Sequence, residues 1–90
     1  MLTVWVFVAN DGEMPSGVFS GPQAAEEWIK KNRLSGLLTE YPVDVGIMDW
    51  AMQYAGFRPP AGKSADPSYI GRFTSGALNH FHYENGGRAV

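Results

Sequence analysis

The fold is decided by residues 34–56, whose sequence is LSGLLTEYPVDVGIMDWAMQYAG. In this stretch a turn signal, a strand pattern, a helix start and a helix stop follow one another directly. Over 37–43 alternate side chains can share one face, which predicts a strand. Because Pro42 cannot donate a hydrogen bond to a neighbouring strand, we expect this strand to lie at a sheet edge or to have an unpaired far end.

The second half of the stretch predicts a helix over 46–55. Apolar side chains recur there at positions i, i+3, i+4 and i+7, which places them on one helical face. Asp44 or Gly46 can begin this helix, since an aspartate at the N-cap accepts hydrogen bonds from amides one turn later. Gly56 favours the left-handed conformation that commonly ends a helix.

A second apolar line on this helix makes more than half of its circumference apolar. The line consists of Met48, Met52 and Ala55. Such a width indicates either deep burial, which we favour, or an adaptable contact surface for a protein partner. In the second case the partner-binding residues are Met48, Met52 and the neighbouring, outward-facing Asp49.

Residues 2–9, LTVWVFVA, predict a strand because they are rich in β-branched and aromatic side chains. Apolar side chains occur on both of its faces, so we expect this strand to be central and covered on both sides. A helix can cover one face. The later helices, or a second copy of the chain in a homodimer, would cover the other.

A turn at Asn10-Asp11-Gly12 leads to a short antiparallel strand over 16–19. A helix over 21–33 follows, with Ser20 as its N-cap and Gln23 at the spacing of a capping box. This spacing satisfies two of the amides that would otherwise lack partners at the start of a helix.

The last two elements are a third helix over 67–75 and a strand over 79–84. We expect Asp66 as the N-cap of the helix and Pro67 as its first residue. Ile70 and its aromatic neighbours are expected to face inward.

These elements predict an α+β fold: a single, mostly antiparallel sheet of about four strands packed with three short helices, in the order β-β-α-β-α-α-β. Ninety residues provide one hydrophobic core. We therefore expect a single domain over 1–85 and a frayed tail over 86–90.

Composition limits the possible partners. The chain is 44% hydrophobic and 13% aromatic, which is typical of a folded domain. Seven basic residues are scattered among nine acidic ones and form no basic stripe, so we expect no nucleic-acid partner. The absence of cysteine fits a cytoplasmic protein without disulfides. No apolar run is long enough to cross a membrane, and nothing resembles a signal peptide, so we also expect no membrane partner.

The sharpest candidate site is His80-Phe-His-Tyr-Glu84, in which His80, His82 and Glu84 share one strand face. Two imidazoles and a carboxylate are suitable ligands for zinc or iron. The simpler interpretation is that the aromatic side chains face the core and the three polar ones face water. On that interpretation the chain has no metal and no cofactor.

An acidic and aromatic group surrounds the start of the second helix. It consists of Glu40, Tyr41, Asp44 and Asp49. Paired carboxylates can act as a general acid and base when their surroundings push their pKa values apart. Helix capping is a sufficient explanation for Asp44, so we assign no catalytic residue.

Several short motifs resemble those of one protein family. They are Val4-Trp-Val-Phe7, Pro15-Ser-Gly-Val-Phe-Ser20, Glu27-Trp-Ile29, Leu34-Ser-Gly36, Tyr41-Pro-Val-Asp-Val-Gly46, Asp49-Trp-Ala51, Arg72-Phe-Thr-Ser75 and His80-Phe-His-Tyr-Glu84. This set resembles a family of small, stand-alone bacterial domains of unknown function. The resemblance implies a bacterial, cytoplasmic protein and brings no activity, cofactor or catalytic residue with it.

The leading hypothesis for function is a non-enzymatic protein-interaction or accessory module. It depends on the small size, the wide apolar surface of the second helix and the lack of a convincing catalytic set. The alternative is a small metal-dependent or acid–base enzyme that uses the strand face of His80, His82 and Glu84.

Overall fold

The structure, a computed structural model, describes residues 1–89 and contains five strands and three helices. The elements are β1 (Thr3–Ala9), β2 (Gly17–Phe19), α1 (Pro22–Lys31), β3 (Gly36–Pro42), α2 (Ile47–Tyr54), α3 (Pro67–Arg72), β4 (His80–Glu84) and β5 (Gly87–Arg88). All strands belong to one antiparallel sheet in the order β2-β1-β3-β4-β5. The predicted α+β class is confirmed, with one strand more than expected.

The chain forms two compact units. The first, called the sheet unit, comprises residues 1–43 together with those from 78 onward. The second, called the helical unit, comprises residues 44–77 and contains α2 and α3. The helical unit is thus the connection between β3 and β4, which are neighbours in the sheet.

β1 lies inside the sheet between β2 and β3, as its two apolar faces predict. β3 is also internal, so the edge position predicted for it is wrong. The alternative, an unpaired far end, holds only on the side of β4, because Pro42 lies in register with Thr3 of β1 on the other side. β4 pairs with β3 only as far as Thr39, and the Glu40 amide then donates to the Asn79 carbonyl (2.9 Å). Hydrogen bonds alternate in direction along an antiparallel strand, so the missing N–H of Pro42 falls beyond the end of β4.

The core of the sheet unit lies between the sheet and α1. Its buried members are Trp5, Phe7, Ala25, Ile29, Leu38 and Tyr83. The Phe7 ring meets the Trp28 ring edge-on, with centroids 5.6 Å apart. Such an arrangement of aromatic rings is favourable in addition to the apolar area that it buries.

Gly36 allows the Phe7 ring to lie directly against the backbone of β3. A Cβ atom at position 36 would stand 2.3 Å from the Val8 carbonyl oxygen and 2.7 Å from Cζ of Phe7. Both distances are shorter than any real contact, and one of the two atoms is backbone that cannot rotate away. The position therefore requires glycine.

α1 begins and ends differently from the predicted helix. Its N-cap is Gly21, which makes no side-chain cap bond, so the capping box at Ser20 is wrong. At the other end Arg33 adopts a left-handed conformation (φ 53°), and the Leu34 amide donates to the Ile29 carbonyl (3.0 Å). This six-to-one bond is the signature of a Schellman motif.

The C-terminal end also differs from the predicted frayed tail, because Gly87–Arg88 form β5 and pair with β4. Asn85 and Gly86 both have positive φ (50° and 87°), as the tightest hairpin turns require. The Gly86 amide donates to the Leu34 carbonyl (2.9 Å), which holds this turn against the end of α1. Val90, the last residue of the predicted tail, lies outside the described residues.

In the helical unit the two helices begin at different kinds of cap. The N-cap of α2 is Gly46, while Asp44 lies two residues earlier in a left-handed conformation (φ 65°) and caps nothing. Gly56 follows the helix with φ 70°, as predicted. Asp66 caps α3 as predicted, since its Oδ1 accepts from the amides of Ser68 (3.0 Å) and Tyr69 (3.3 Å).

None of the three helices found within residues 1–89 is long and apolar enough to cross a membrane.

The close contact of Gly36 with Phe7 and the Val8 carbonyl leads to a prediction about stability. Gly36→Ala should lower the free energy of unfolding by about 3 kcal/mol, because the new methyl group overlaps backbone that cannot move independently. Gly71→Ala is the matched control, since a Cβ there meets nothing within 4 Å and alanine favours helix. Urea denaturation followed by tryptophan fluorescence measures both. Equal midpoints for Gly36→Ala and the unaltered chain would contradict the packing described.

Candidate functional site

His80, His82 and Glu84 lie on β4 with exposed side chains on one face, as the period of two predicts. The rings of His80 and His82 are neighbours, with centroids 5.3 Å apart and planes at 81°. Glu84 does not complete a site with them: within residues 1–89 no three His, Cys, Asp or Glu side chains are close enough together to hold a metal ion. The structure therefore brings together two of the three candidates.

The His80 ring is held by the backbone two residues earlier. Its Nδ1 lies 2.7 Å from the carbonyl oxygen of Leu78, which can only accept a hydrogen bond. Nδ1 is therefore the protonated nitrogen when this bond forms. In the neutral ring this leaves the lone pair on Nε2.

Glu40, from the predicted acidic group, is engaged in a polar network within the sheet unit. One of its carboxylate oxygens accepts from the Thr3 hydroxyl (2.6 Å), and the other accepts from the Asn79 amide (3.0 Å). The Thr3 bond, followed by the Asn79 bond, lowers the pKa of Glu40. These bonds keep the carboxylate ionised near neutral pH, so Glu40 is not suited to act as a general acid there.

The carboxylates of the helical unit have separate positions. Asp49 is exposed in the first turn of α2, where a negative charge interacts favourably with the helix dipole. Asp44 is exposed just before that helix.

The partner surface predicted on α2 is only partly available. Met48 is buried, with 4% of its surface exposed, so it cannot contact a partner in this conformation. Met52 is 38% exposed, and Asp49 is exposed beside it. Burial was the favoured interpretation of this apolar line, and the structure shows burial for Met48 alone.

An open groove that sequence reasoning missed lies on α3 and the residues after it. It has a volume of about 430 Å³ and is lined by Tyr69, Arg72, Phe73 and Thr74. Enclosed ligand pockets are of similar volume, but they surround most of the ligand surface. An open groove of this size instead suits a side chain or short segment that lies on the surface.

The aromatic side chains that line the groove pack against other residues of the helical unit. The Phe73 ring lies 4.7 Å from the Phe57 ring and 6.1 Å from the Tyr69 ring, centroid to centroid. The Lys63 amine lies 5.9 Å from the centroid of the Tyr69 ring and is paired with Asp66 (3.4 Å). The aromatic wall of the groove is therefore braced by other residues of the same unit.

α3 buries none of its own residues. Ile70, which was expected to face inward, is 41% exposed, and this expectation is wrong. Arg72 has no ion-pair partner within residues 1–89, although it lines the groove. The pattern Tyr-Ile-Gly-Arg-Phe was a usable signal, because a six-residue helix can bury only part of so apolar a sequence.

A second group that sequence reasoning missed ties β4 and β5 to α1. One oxygen of Glu26 accepts from the Tyr83 hydroxyl (2.6 Å) and from Nε of Arg88 (2.6 Å). The Arg88 guanidinium lies 3.8 Å from the centroid of the Phe81 ring, a favourable cation–π position. No local pattern predicts this group, because its members are far apart in the sequence.

The pKa values of this group are shifted away from neutrality. The Arg88 hydrogen bond, followed by the Tyr83 bond, lowers the pKa of Glu26. Burial, followed by the bond to Glu26, raises the pKa of Tyr83 to about 12. At neutral pH the carboxylate stays charged and the phenol stays protonated, which is typical of a structural tie rather than of an acid–base pair.

Comparison with known proteins identifies the domain type. A family model described as a domain of unknown function, DUF7710, matches residues 4–89. This match confirms the resemblance to a domain of unknown function. No curated protein and no solved structure matches the chain.

The hydrogen bonds that Glu26 accepts from Tyr83 and Arg88 predict a pH-dependent contribution to the stability of the fold. Glu26→Gln should lower the free energy of unfolding at pH 7 by about 1 kcal/mol, after allowance for partial exposure. Because the folded state lowers the pKa of Glu26, this contribution is present above about pH 4.3 and is lost as the pH falls through the lower, folded-state value. Urea denaturation at pH 7 and at pH 3 measures the difference, which should shrink at pH 3.

Glu27→Gln is the control for this test, since Glu27 is exposed on the same helix and has no ion-pair partner within residues 1–89. Its effect should stay within about 0.5 kcal/mol at either pH. If Glu26→Gln and Glu27→Gln behaved alike, the tie to Tyr83 and Arg88 would contribute nothing measurable.

Proposed function

The chain belongs to the DUF7710 family of domains of unknown function, and we propose that it is a non-enzymatic protein-interaction module that binds a partner at the groove on α3. The observation that carries this proposal is the exposure of that helix. It buries none of its residues, yet it presents an isoleucine, a tyrosine and an arginine at the surface.

The composition of the groove supports a protein partner. Tyrosine and arginine are the residue types, together with tryptophan, that contribute most often to binding energy at protein interfaces. Here Tyr69 and Phe73 form apolar walls, Arg72 supplies a charge, and Ile70 lies exposed on the same helix. A partner would bury apolar surface and form an ion pair in one place.

Charge complementarity defines the partner segment. Arg72 has no acidic partner within residues 1–89. A guanidinium forms its strongest contacts with carboxylates, which it can meet through two parallel hydrogen bonds. We therefore assign to the groove a peptide segment of another protein that carries an aspartate or glutamate next to an apolar or aromatic side chain.

The acid–base form of the enzyme hypothesis receives little support from electrostatics. The resolved pKa shifts of the acidic side chains move away from neutrality: those of Glu26 and Glu40 are lowered, and that of Tyr83 is raised. A general acid or base works best with a pKa near the operating pH. Each shift is explained by hydrogen bonds or burial that also stabilise the fold.

A displayed peptide library panned on the purified full chain tests the proposal. The expected peptides carry an acidic residue beside an apolar one and bind the unaltered chain. Arg72→Glu should weaken their binding at least about tenfold, because the ion pair becomes a repulsion between like charges. Titration calorimetry of the selected peptides measures this change.

Arg58→Glu is the matched control, because it makes the same change of charge at an exposed arginine of the same unit outside the groove. It should alter peptide affinity by less than about threefold. Replacing the acidic residue of the peptide by lysine should restore binding to Arg72→Glu. If no peptide is enriched, or if the enriched peptides bind Arg72→Glu as well as Arg58→Glu, the groove is not the contact surface.

A further inference from the structure

We propose that His80 and His82 together bind one divalent transition-metal ion of the kind that prefers imidazole ligands, such as Zn²⁺. Water or a donor from a second molecule would complete the coordination. This site lies on β4 in the sheet unit and is independent of the groove on α3.

The separation of the two rings fits a shared ion. Zn–N bonds of about 2.1 Å at a tetrahedral angle hold two imidazole centroids about 5 Å apart. The centroids of His80 and His82 are 5.3 Å apart. Alternate residues of a strand project from the same face, which places the two rings side by side.

The hydrogen bond of His80 prepares its ring for coordination. Nδ1 donates to the Leu78 carbonyl (2.7 Å), so the second nitrogen, Nε2, is the one with a free lone pair in the neutral ring. Metal-binding histidines almost always make such a bond with the nitrogen that does not face the metal, because it fixes the tautomer and the orientation of the ring.

The residues of β3 that lie in register with the two histidines carry no positive charge. Thr39 lies opposite His80 on β3, and Leu37 lies opposite His82. Glu84, two residues further along the same face, adds a negative charge. The face therefore favours a cation electrostatically, while the two side chains that would bind it are imidazoles rather than carboxylates.

Two protein ligands define the class of ion. Imidazole nitrogen suits Zn²⁺, Cu²⁺ and Ni²⁺, whereas Mg²⁺ and Ca²⁺ require oxygen ligands. With two ligands the site would be exchangeable rather than structural, because structural zinc sites use four protein ligands. An exchangeable ion on an exposed strand can accept a further ligand from a substrate or from a second protein.

Titration calorimetry of the purified, untagged full chain with ZnCl₂ tests this proposal. We expect one Zn²⁺ per chain. His80→Ala and His82→Ala should each weaken binding at least about tenfold, the smallest loss that removal of a supporting residue usually causes at a metal site. MgCl₂ should give no binding, and Zn²⁺ binding should weaken at low pH because protons compete for the imidazole lone pairs.

Glu27→Gln, at an exposed position of α1, and Arg72→Glu serve as controls. Each should leave Zn²⁺ affinity within about threefold of the unaltered chain, and Arg72→Glu separates this site from the proposed peptide groove. Circular dichroism of each variant shows whether it retains its fold. Absence of Zn²⁺ binding at millimolar concentration, or an affinity in either histidine variant equal to that of the unaltered chain, would overturn the proposal.

The tautomer of His80 provides an independent measurement that does not require a variant. Imidazole ¹⁵N spectra of the metal-free protein at alkaline pH should show the proton of His80 on Nδ1, as its bond to Leu78 requires. Addition of Zn²⁺ should shift the Nε2 signal and leave Nδ1 protonated. A proton on Nε2 in the metal-free protein would contradict the orientation on which the site depends.

Discussion

The contact between the Phe7 ring and the bare backbone of Gly36 is the constraint on which the sheet unit depends. Phe7 is fully buried, and its ring fills the space that a side chain at position 36 would occupy. The same ring contacts Trp28 of α1, so this one side chain of β1 packs against both β3 and α1. The turn at Gly86 then holds the other end of that helix through the Leu34 carbonyl.

Arg72 and the two glutamates Glu26 and Glu40 differ in how their charges are satisfied. In the sheet unit, Glu26 and Glu40 both accept hydrogen bonds from residues distant in the sequence, and these bonds stabilise the fold. In the helical unit, Arg72 lines a groove without an ion-pair partner among residues 1–89. Charges that are satisfied within the protein contribute to its stability, whereas an unpaired one beside apolar surface is available to another molecule. The proposal of partner binding at the groove depends on this property of Arg72.

Local signals predicted most of the fold, and distant contacts explain what they missed. A run of β-branched and aromatic residues predicted β1, and Asp66 with Pro67 predicted the start of α3. Pro42 cannot donate a hydrogen bond to a neighbouring strand, as assumed. Whether this excludes an internal position for β3 depends on where β4 ends, which no local sequence pattern reveals. The shared face of His80 and His82 follows from strand geometry alone, whereas the tie of Glu26 to Tyr83 and Arg88 spans 57 and 62 residues. The hairpin before β5 was available from Asn85-Gly86, a strong turn signal that was assigned to a tail.

The position of the helical unit in the chain bears on how such a domain can change during evolution. Residues 44–77 join two adjacent antiparallel strands, which a turn of a few residues could also join. Loop-closure entropy rises slowly with length, so the longer connection costs the sheet only about 2 kcal/mol relative to a short turn. Insertions, deletions and substitutions in this segment can therefore accumulate with little effect on the sheet. The sheet unit is thus free to stay constant while the helical unit diversifies.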